Sequence, residues 1–329
     1  MIPSDIKLNE NHGLLFAYQI NLEGITKKVS WEELEKEKPA NTQLTWIHLD
    51  REKASAWLKK KNYFNDLVLG SLLSARTRPR MIKTHTQETI LILRALHDSE
   101  SAEEDLVSLR VLIRDQQLIT LSRYPIGALE KTRLQLENGS DIVSLADCLS
   151  ALCQNIHDDL EREIEALNLN LYEIESLYEN HQRVNLDQLN LIQRRSHYLK
   201  RYLSPQKILF GTLSHIQLPW VKEHGSYLWR EIENTLTHLV EDLDQIQLQS
   251  RTIQEAISNK IDHKIAQSMY IMSLVSAFFL PLTLFTGLLG MNVDGIPYHN
   301  APRAFWWACS TTAGIALMQY LLFKRKKWL

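Results

Sequence analysis

Cysteine, glycine and proline are scarce in this chain, with 3, 11 and 9 residues among 329. Cys148, Cys153 and Cys309 are odd in number and spaced as neither a CxxC pair nor a zinc finger. They are expected to be buried small apolar residues in a reducing compartment. A basic excess is missing as well: 37 Lys and Arg face 39 Asp and Glu, which gives a nucleic-acid partner no electrostatic support. No GxxxxGK or GxGxxG loop occurs, and neither does HExxH or a tight Cys/His cluster. His157, His181, His197, His215, His224, His238 and His263 are scattered along the second half and are read as surface or interface residues. No Ser/His/Asp arrangement is legible, so no enzyme, cofactor or dedicated cytoplasmic metal site is expected. The opening Met1-Ile2-Pro3-Ser4-Asp5 lacks a basic-then-apolar segment, so no signal peptide is expected and the bulk of the chain is placed in the cytoplasm.

The most informative absence is local. Between Lys264 and Asp294 there is no Asp, Glu, Lys or Arg, and the stretch is long enough to cross a bilayer, which takes about 20 apolar residues in helix. A second charge-free stretch lies between Arg303 and Lys324 and begins Ala304-Phe305-Trp306-Trp307, aromatics that suit a membrane interface. Lys324-Arg325-Lys326-Lys327 follow it, whereas Arg303 is the sole Lys or Arg of the connecting loop. Cations concentrate on the cytoplasmic side, so both termini are expected inside and the loop outside.

One face of the first span differs from the rest. Ser273, Ser276, Leu280, Thr283, Gly287 and Gly290 recur at alternating steps of 3 and 4, and all but Leu280 are small or carry a hydroxyl. Two readings fit this periodicity equally: close helix packing through small residues, or a stripe lining a pore shared by several copies. The opposite faces hold Phe278, Phe279, Leu282, Leu284 and Phe285, and Pro281 frees the carbonyl of Ala277 mid-span. After the span comes Gly290-Met291-Asn292, where a ring of amide oxygens can hold a cation through its water shell. Asp294 and His299 can attract a metal at that mouth.

Upstream, Ile232, Leu236, Leu239, Leu243, Ile246, Ile253 and Ile257 keep a similar rhythm, with Ser250 in the gap. One helix from about Ser226 to Gly290 is expected, packed in a bundle with helices over Leu145 to Asn180 and Leu186 to Leu203, the latter ending before Pro205. Seven acids to four bases between Gly225 and Lys264 would draw cations if copies surrounded an axis. The first 140 residues read as mixed α/β. Strands are expected at Leu14 to Tyr18, Thr42 to Leu49, Thr89 to Leu93, Leu106 to Ile113 and Gln117 to Ser122, with helices near Trp31 to Glu37, Lys53 to Lys61 and Asp66 to Ala75.

These segments resemble the CorA superfamily of divalent-cation channels and transporters, and within it the zinc-transporting ZntB branch. The likeness is carried by Met269 to Asn292, Gly295-Ile296-Pro297, the tail ending Lys327-Trp328-Leu329, Trp46-Ile47-His48-Leu49, Thr77-Arg78-Pro79-Arg80, Arg201-Tyr202-Leu203-Ser204-Pro205-Gln206 and Leu218-Pro219-Trp220. It implies a funnel-shaped homopentamer of α+β class in a bacterial inner membrane. Its parts would be an α/β domain (1–140), a helical bundle and stalk (141–268), a pore span (269–292), a periplasmic loop (293–302), an outer span (303–323) and a cytoplasmic tail (324–329). Gly290, Met291 and Asn292 would form the selectivity ring, and Met269, Ser273, Ser276, Leu280, Thr283 and Gly287 would line the pore, with Met269 and Leu280 as constrictions. The cargo implied is Zn²⁺, with Ni²⁺ and Cd²⁺, in proton-linked uptake. Met291 gives the turn the form typical of magnesium channels, so Mg²⁺ or Co²⁺ conduction stays open, and so does a non-conducting coiled-coil sensor.

Overall fold

The computed structural model describes residues 13–21, 23–36, 44–60, 64–75, 77–84, 88–98, 106–139, 141–216, 218–222, 226–291 and 302–328. The chain divides into two compact units, Met1–Thr252 and Ile253–Leu329.

In the first unit the elements run β1 (Leu14–Ile20), β2 (Thr26–Lys28), α1 (Trp31–Lys36), β3 (Leu44–Asp50), α2 (Arg51–Lys60), α3 (Asp66–Leu73) and β4 (Arg80–Lys83). They continue through β5 (Thr89–Leu96), β6 (Leu106–Arg114), β7 (Gln117–Ser122), α4 (Gly127–Glu137), α5 (Leu145–Glu179), α6 (Leu186–His215) and α7 (Pro219–Lys222). The seven strands form one sheet in the order β2-β1-β3-β7-β6-β5-β4. Only β3 and β7 are parallel neighbours; the other pairs are antiparallel. All five expected strands are present. The short edge strands β2 and β4 escaped the sequence because three or four residues are too few to show a period of two.

Alternation of side chains sorts the core. Leu49, Ile90, Ile92, Leu112, Ile119 and Leu121 point to one face and pack with Trp31, Ala54, Leu58, Val68 and Leu72 of α1, α2 and α3. On the other face Trp46 donates from its indole to Thr120 Oγ1 at 3.0 Å, and His48 Nδ1 lies 3.0 Å from the same hydroxyl. Burial pushes His48 down to about 4, against the pull of its Thr120 bond and of Asp50. His157 on α5 is likewise buried inside the unit and pushed down to about 4, which corrects its reading as a surface or interface residue.

Ser144 opens α5 with a capping box: its hydroxyl accepts from Asp147 N while Asp147 returns to the Ser144 N–H. Helix α6 corrects the expected stop at Leu203, since it runs through Pro205 to His215. Proline costs the helix one hydrogen bond, but Leu203, Gln206, Leu209, Phe210 and Leu213 are all buried on one face, and that burial outweighs a single lost bond. Gln206 Oε1 also accepts the Arg94 N–H at 2.8 Å, two residues beyond the last β4–β5 pair, which ties α6 to the edge of the sheet.

Helix α8 (Ser226–Leu289) is unbroken, as expected. Within the first unit its stripe Ile232, Leu236, Leu239, Leu243, Ile246 and Ser250 is buried. The indole of Trp229 stacks on Phe210 of α6, and Lys200 of α6 is paired with Asp244. That stretch of the rhythm is therefore spent inside the chain. In the second unit α8 is followed by α9 (Ala304–Arg325).

Candidate functional site

The second unit is a helical hairpin. Tyr270 donates its hydroxyl to the Trp328 carbonyl at 2.9 Å, and Phe278 meets Phe323 at 6.5 Å, so the start of the apolar part of α8 lies beside the end of α9. The tail is closed by Lys327 at φ 55, with Trp328 N donating to Phe323 O at 3.0 Å, a left-handed helix stop.

Which faces meet can be read from burial. On α8 the half-buried residues are Leu274, Phe278, Leu282 and Phe285; on α9 they are Ala304, Ala308, Thr312, Ile315, Ala316 and Phe323, with Gln319 buried outright. The α8 set follows steps of 4, 4 and 3, one stripe of a helix. At about 100° per residue, that stripe is centred roughly 175° from the one through Met269, Ser273, Ser276, Leu280, Thr283, Gly287 and Gly290. The small and hydroxylated face therefore points directly away from α9. All seven of its members are exposed in the single chain, Met269 by 65% and Leu280 by 72%.

The hydroxyl chemistry of this face is defined. Thr283 Oγ1 donates to Phe279 O at 2.9 Å, which uses its proton on the helix backbone and leaves its lone pairs turned outward as acceptors. The seam carries no ionisable group, so it offers a cation only hydroxyl oxygens, water and apolar walls. Gly290 N donates to Thr286 O at 2.9 Å and ends the helix; a Cβ at this position would stand 3.2 Å from that carbonyl, too close for comfort. Gly287 has nothing within 4 Å of where a Cβ would lie, so the chain itself does not require a glycine there. Asn292, Asp294 and His299 lie outside the described residues.

By composition and length, one helix among the described residues is apolar enough to cross a membrane, the Tyr227–Leu289 segment, with a window of mean hydropathy 1.9 and none of it buried. Helix α9 has 22 residues, but Ser310, Thr311, Thr312 and Gln319 dilute its apolar content. Cys309 is exposed, unlike Cys148 and Cys153, which corrects the expectation that all three are buried: its position on α9 falls off the stripe that faces α8. Among the described residues no three or more His, Cys, Asp or Glu side chains gather as a metal site.

An α/β unit followed by a long helix that becomes the apolar arm of a hairpin, with an uncharged polar seam on that arm, is the architecture of a membrane protein. The family described as CorA-like Mg²⁺ transporter protein matches residues 41–325, and the chain belongs to it. The chain is 32% identical over 97% of its length to the divalent cation transporter CmaX of Pseudomonas aeruginosa, of which 98% is covered. It is 29% identical to the zinc transport protein ZntB of Pectobacterium carotovorum, with 97% of each chain covered. A structure of full-length CmaX superposes with a TM-score of 0.84 at 31% identity, covering 98% of this chain and 100% of that one. The CorA magnesium transporter of Methanocaldococcus jannaschii shares the fold, with a TM-score of 0.77 at 18% identity over 96% of this chain and 99% of that one.

Proposed function

We propose that this chain carries Zn²⁺, with Ni²⁺ and Cd²⁺ as further cargo, through a pore made by five copies in a bacterial inner membrane, both termini cytoplasmic. The observation that carries the pore is the opposition of faces on α8: the side that α9 covers is aromatic and aliphatic, and the stripe directly opposite is uncharged and, Met269 and Leu280 apart, small or hydroxylated. A single helix encloses nothing, so this face conducts only when copies surround an axis, with the α9 helices outside. Met269, Ser273, Ser276, Leu280, Thr283 and Gly287 would then line the path, and Gly290, Met291 and Asn292 its outer ring, with Asp294 and His299 at the mouth. The metal is cargo, and no resident cofactor takes part.

Selectivity in such a path comes from holding the ion with its water. Oxygen acceptors and two apolar constrictions suit a hydrated divalent cation, since stripping a doubly charged ion is costly. Proton coupling cannot run along side-chain carboxylates here, because none stands between Lys264 and Asp294. Water or metal-bound hydroxide must carry it, with Asp262, His263, Asp294 and His299 available at the ends. The ZntB relative supports zinc. The Gly290-Met291-Asn292 turn supports a second reading, conduction of Mg²⁺ or Co²⁺. Uptake into proteoliposomes decides between them: Zn²⁺ flux that grows with an inward proton gradient is expected, and Mg²⁺ flux without Zn²⁺ flux would overturn the zinc reading. Native mass spectrometry of detergent-solubilised protein should give a pentamer; a dimer would remove the pore and leave the sensor.

A further inference from the structure

A second feature lies wholly inside the first unit. A cavity of about 590 Å³ is lined by Arg51, Arg78, Arg94, Arg110, Arg123 and Arg201, together with Tyr124, Tyr198 and Tyr202. No Asp or Glu is among the described residues that line it. Two of the segments singled out in the sequence, Thr77-Arg78-Pro79-Arg80 and Arg201-Tyr202, meet here from far apart in the chain.

The sheet builds this site directly. Arg94 follows Ile92 on the same face of β5, and the cross-strand partner of Ile92 is Arg110, so the apolar cluster gives way to guanidinium groups at one end of the sheet. Arg51 follows the last residue of β3, and Arg123 and Tyr124 follow the last residue of β7. The cavity therefore opens at the carboxyl end of the one parallel strand pair, where α/β sheets commonly bind ligands.

Among the described residues its two buried arginines have no carboxylate partner. Arg94 and Arg110 are only 8% and 0% exposed. Arg94 donates to the carbonyls of Leu106 and Thr77 at 2.8 and 2.6 Å, and Arg110 to that of Ser74 at 2.6 Å, while the Nε of each has no partner. Carbonyls hold the groups in place and leave the positive charge uncompensated, a costly arrangement in a buried site. Burial first, then the neighbouring Arg51 and Arg94, lower Arg110 to about 10. Arg123 has an acidic partner, Glu52, at 2.8 Å.

We propose that this cavity binds a polyphosphate anion, either a nucleoside di- or triphosphate or inorganic pyrophosphate. Guanidinium forks match phosphate oxygens two by two, and the hydroxyls of Thr77 and Ser108, 3.0 Å apart, add neutral partners. The volume lies within the range of about 300–1,000 Å³ usual for small-molecule sites, more than one phosphate needs. Tyr202, with Arg94 already 4.5 Å over its ring, offers a flat surface on which a base can lie.

The test is calorimetric titration of the full-length detergent-solubilised protein in metal-free buffer at fixed ionic strength, with ATP, pyrophosphate and sulfate as probes. Saturable binding of ATP or pyrophosphate at one per chain, at least tenfold tighter than sulfate, is expected; ATP the tighter assigns the nucleotide, and equal affinities assign pyrophosphate. Arg78→Glu and Arg201→Glu, both at exposed positions, should each weaken binding at least tenfold, while Arg183→Glu outside the cavity should not. Should Arg201→Glu melt early, Arg201→Lys keeps the charge without the fork and should still bind more weakly than the parent. Absence of saturable binding, sulfate binding as tightly, or folded cavity variants that bind like the parent would overturn the proposal.

Discussion

The two units of this chain treat apolar residues in opposite ways. In the first, large side chains such as Trp46, Trp229 and Phe210 are fully covered by their own chain. In the second, Met269, Leu280, Phe305, Trp306 and Trp307 stand between 65% and 72% exposed, and the one buried residue of α9 is a glutamine. A soluble chain does not leave so much apolar surface bare. The first unit is closed by its own packing; the second leaves most of its apolar surface uncovered by its own chain. Helix α8 belongs to both, so one helix carries a stripe buried in the fold and another, further along, that its own chain leaves bare.

That contrast can be broken most strongly by matched substitutions along α8. Leu236→Ala empties a fully buried site and should cost about 2–5 kcal/mol in denaturant unfolding of the cytoplasmic part, whereas Leu280→Ala should leave that transition unchanged. Equal losses would refute the division.

Acid should strike the first unit. His48 and His157 are held neutral at about 4 in the fold against 6.5 unfolded. The unfolded chain takes up protons first, so stability is full above pH 6.5 and falls as pH drops toward 4, by about 3 kcal/mol for each histidine at 1.4 kcal/mol per unit. His157→Leu should flatten the profile of the melting temperature between pH 6.5 and 4. An unchanged profile would mean that His157 is not buried neutral.

Gly287→Leu reverses the logic. The chain has room for the side chain, so folding should be unaffected, while metal flux in proteoliposomes should fall at least tenfold because the added bulk enters the path. Normal flux would move the path off this face. The smallest effect is expected at the α5 cap, where Ser144→Ala should cost about 1 kcal/mol in thermal unfolding without altering flux.

Much of this was legible in the sequence where a periodicity ran long enough. The unbroken α8, the five longer strands and the hairpin follow from apolar spacing and missing charge. Pro205 misled, because its local cost was visible and the buried face of α6 that outweighs it was not. Cys309 and His157 misled for the same reason: their burial depends on which neighbours the fold supplies. The arginine cavity was not readable as a site, although two of its segments stood out, since its residues come from α2, the stretch before β4, β5, β6, the stretch after β7 and α6, and no local pattern announces that they converge. On α8 the small and hydroxylated seam was readable, but its opposition to α9 needed the hairpin.

The most direct test of that opposition is cysteine accessibility in a Cys309→Ser background. A positively charged methanethiosulfonate should abolish metal flux through Thr283→Cys and leave flux through Leu282→Cys untouched, because one residue faces the path and its neighbour faces α9. Block at residue 282 alone, or at neither, would contradict a path lined by the small and hydroxylated face of α8.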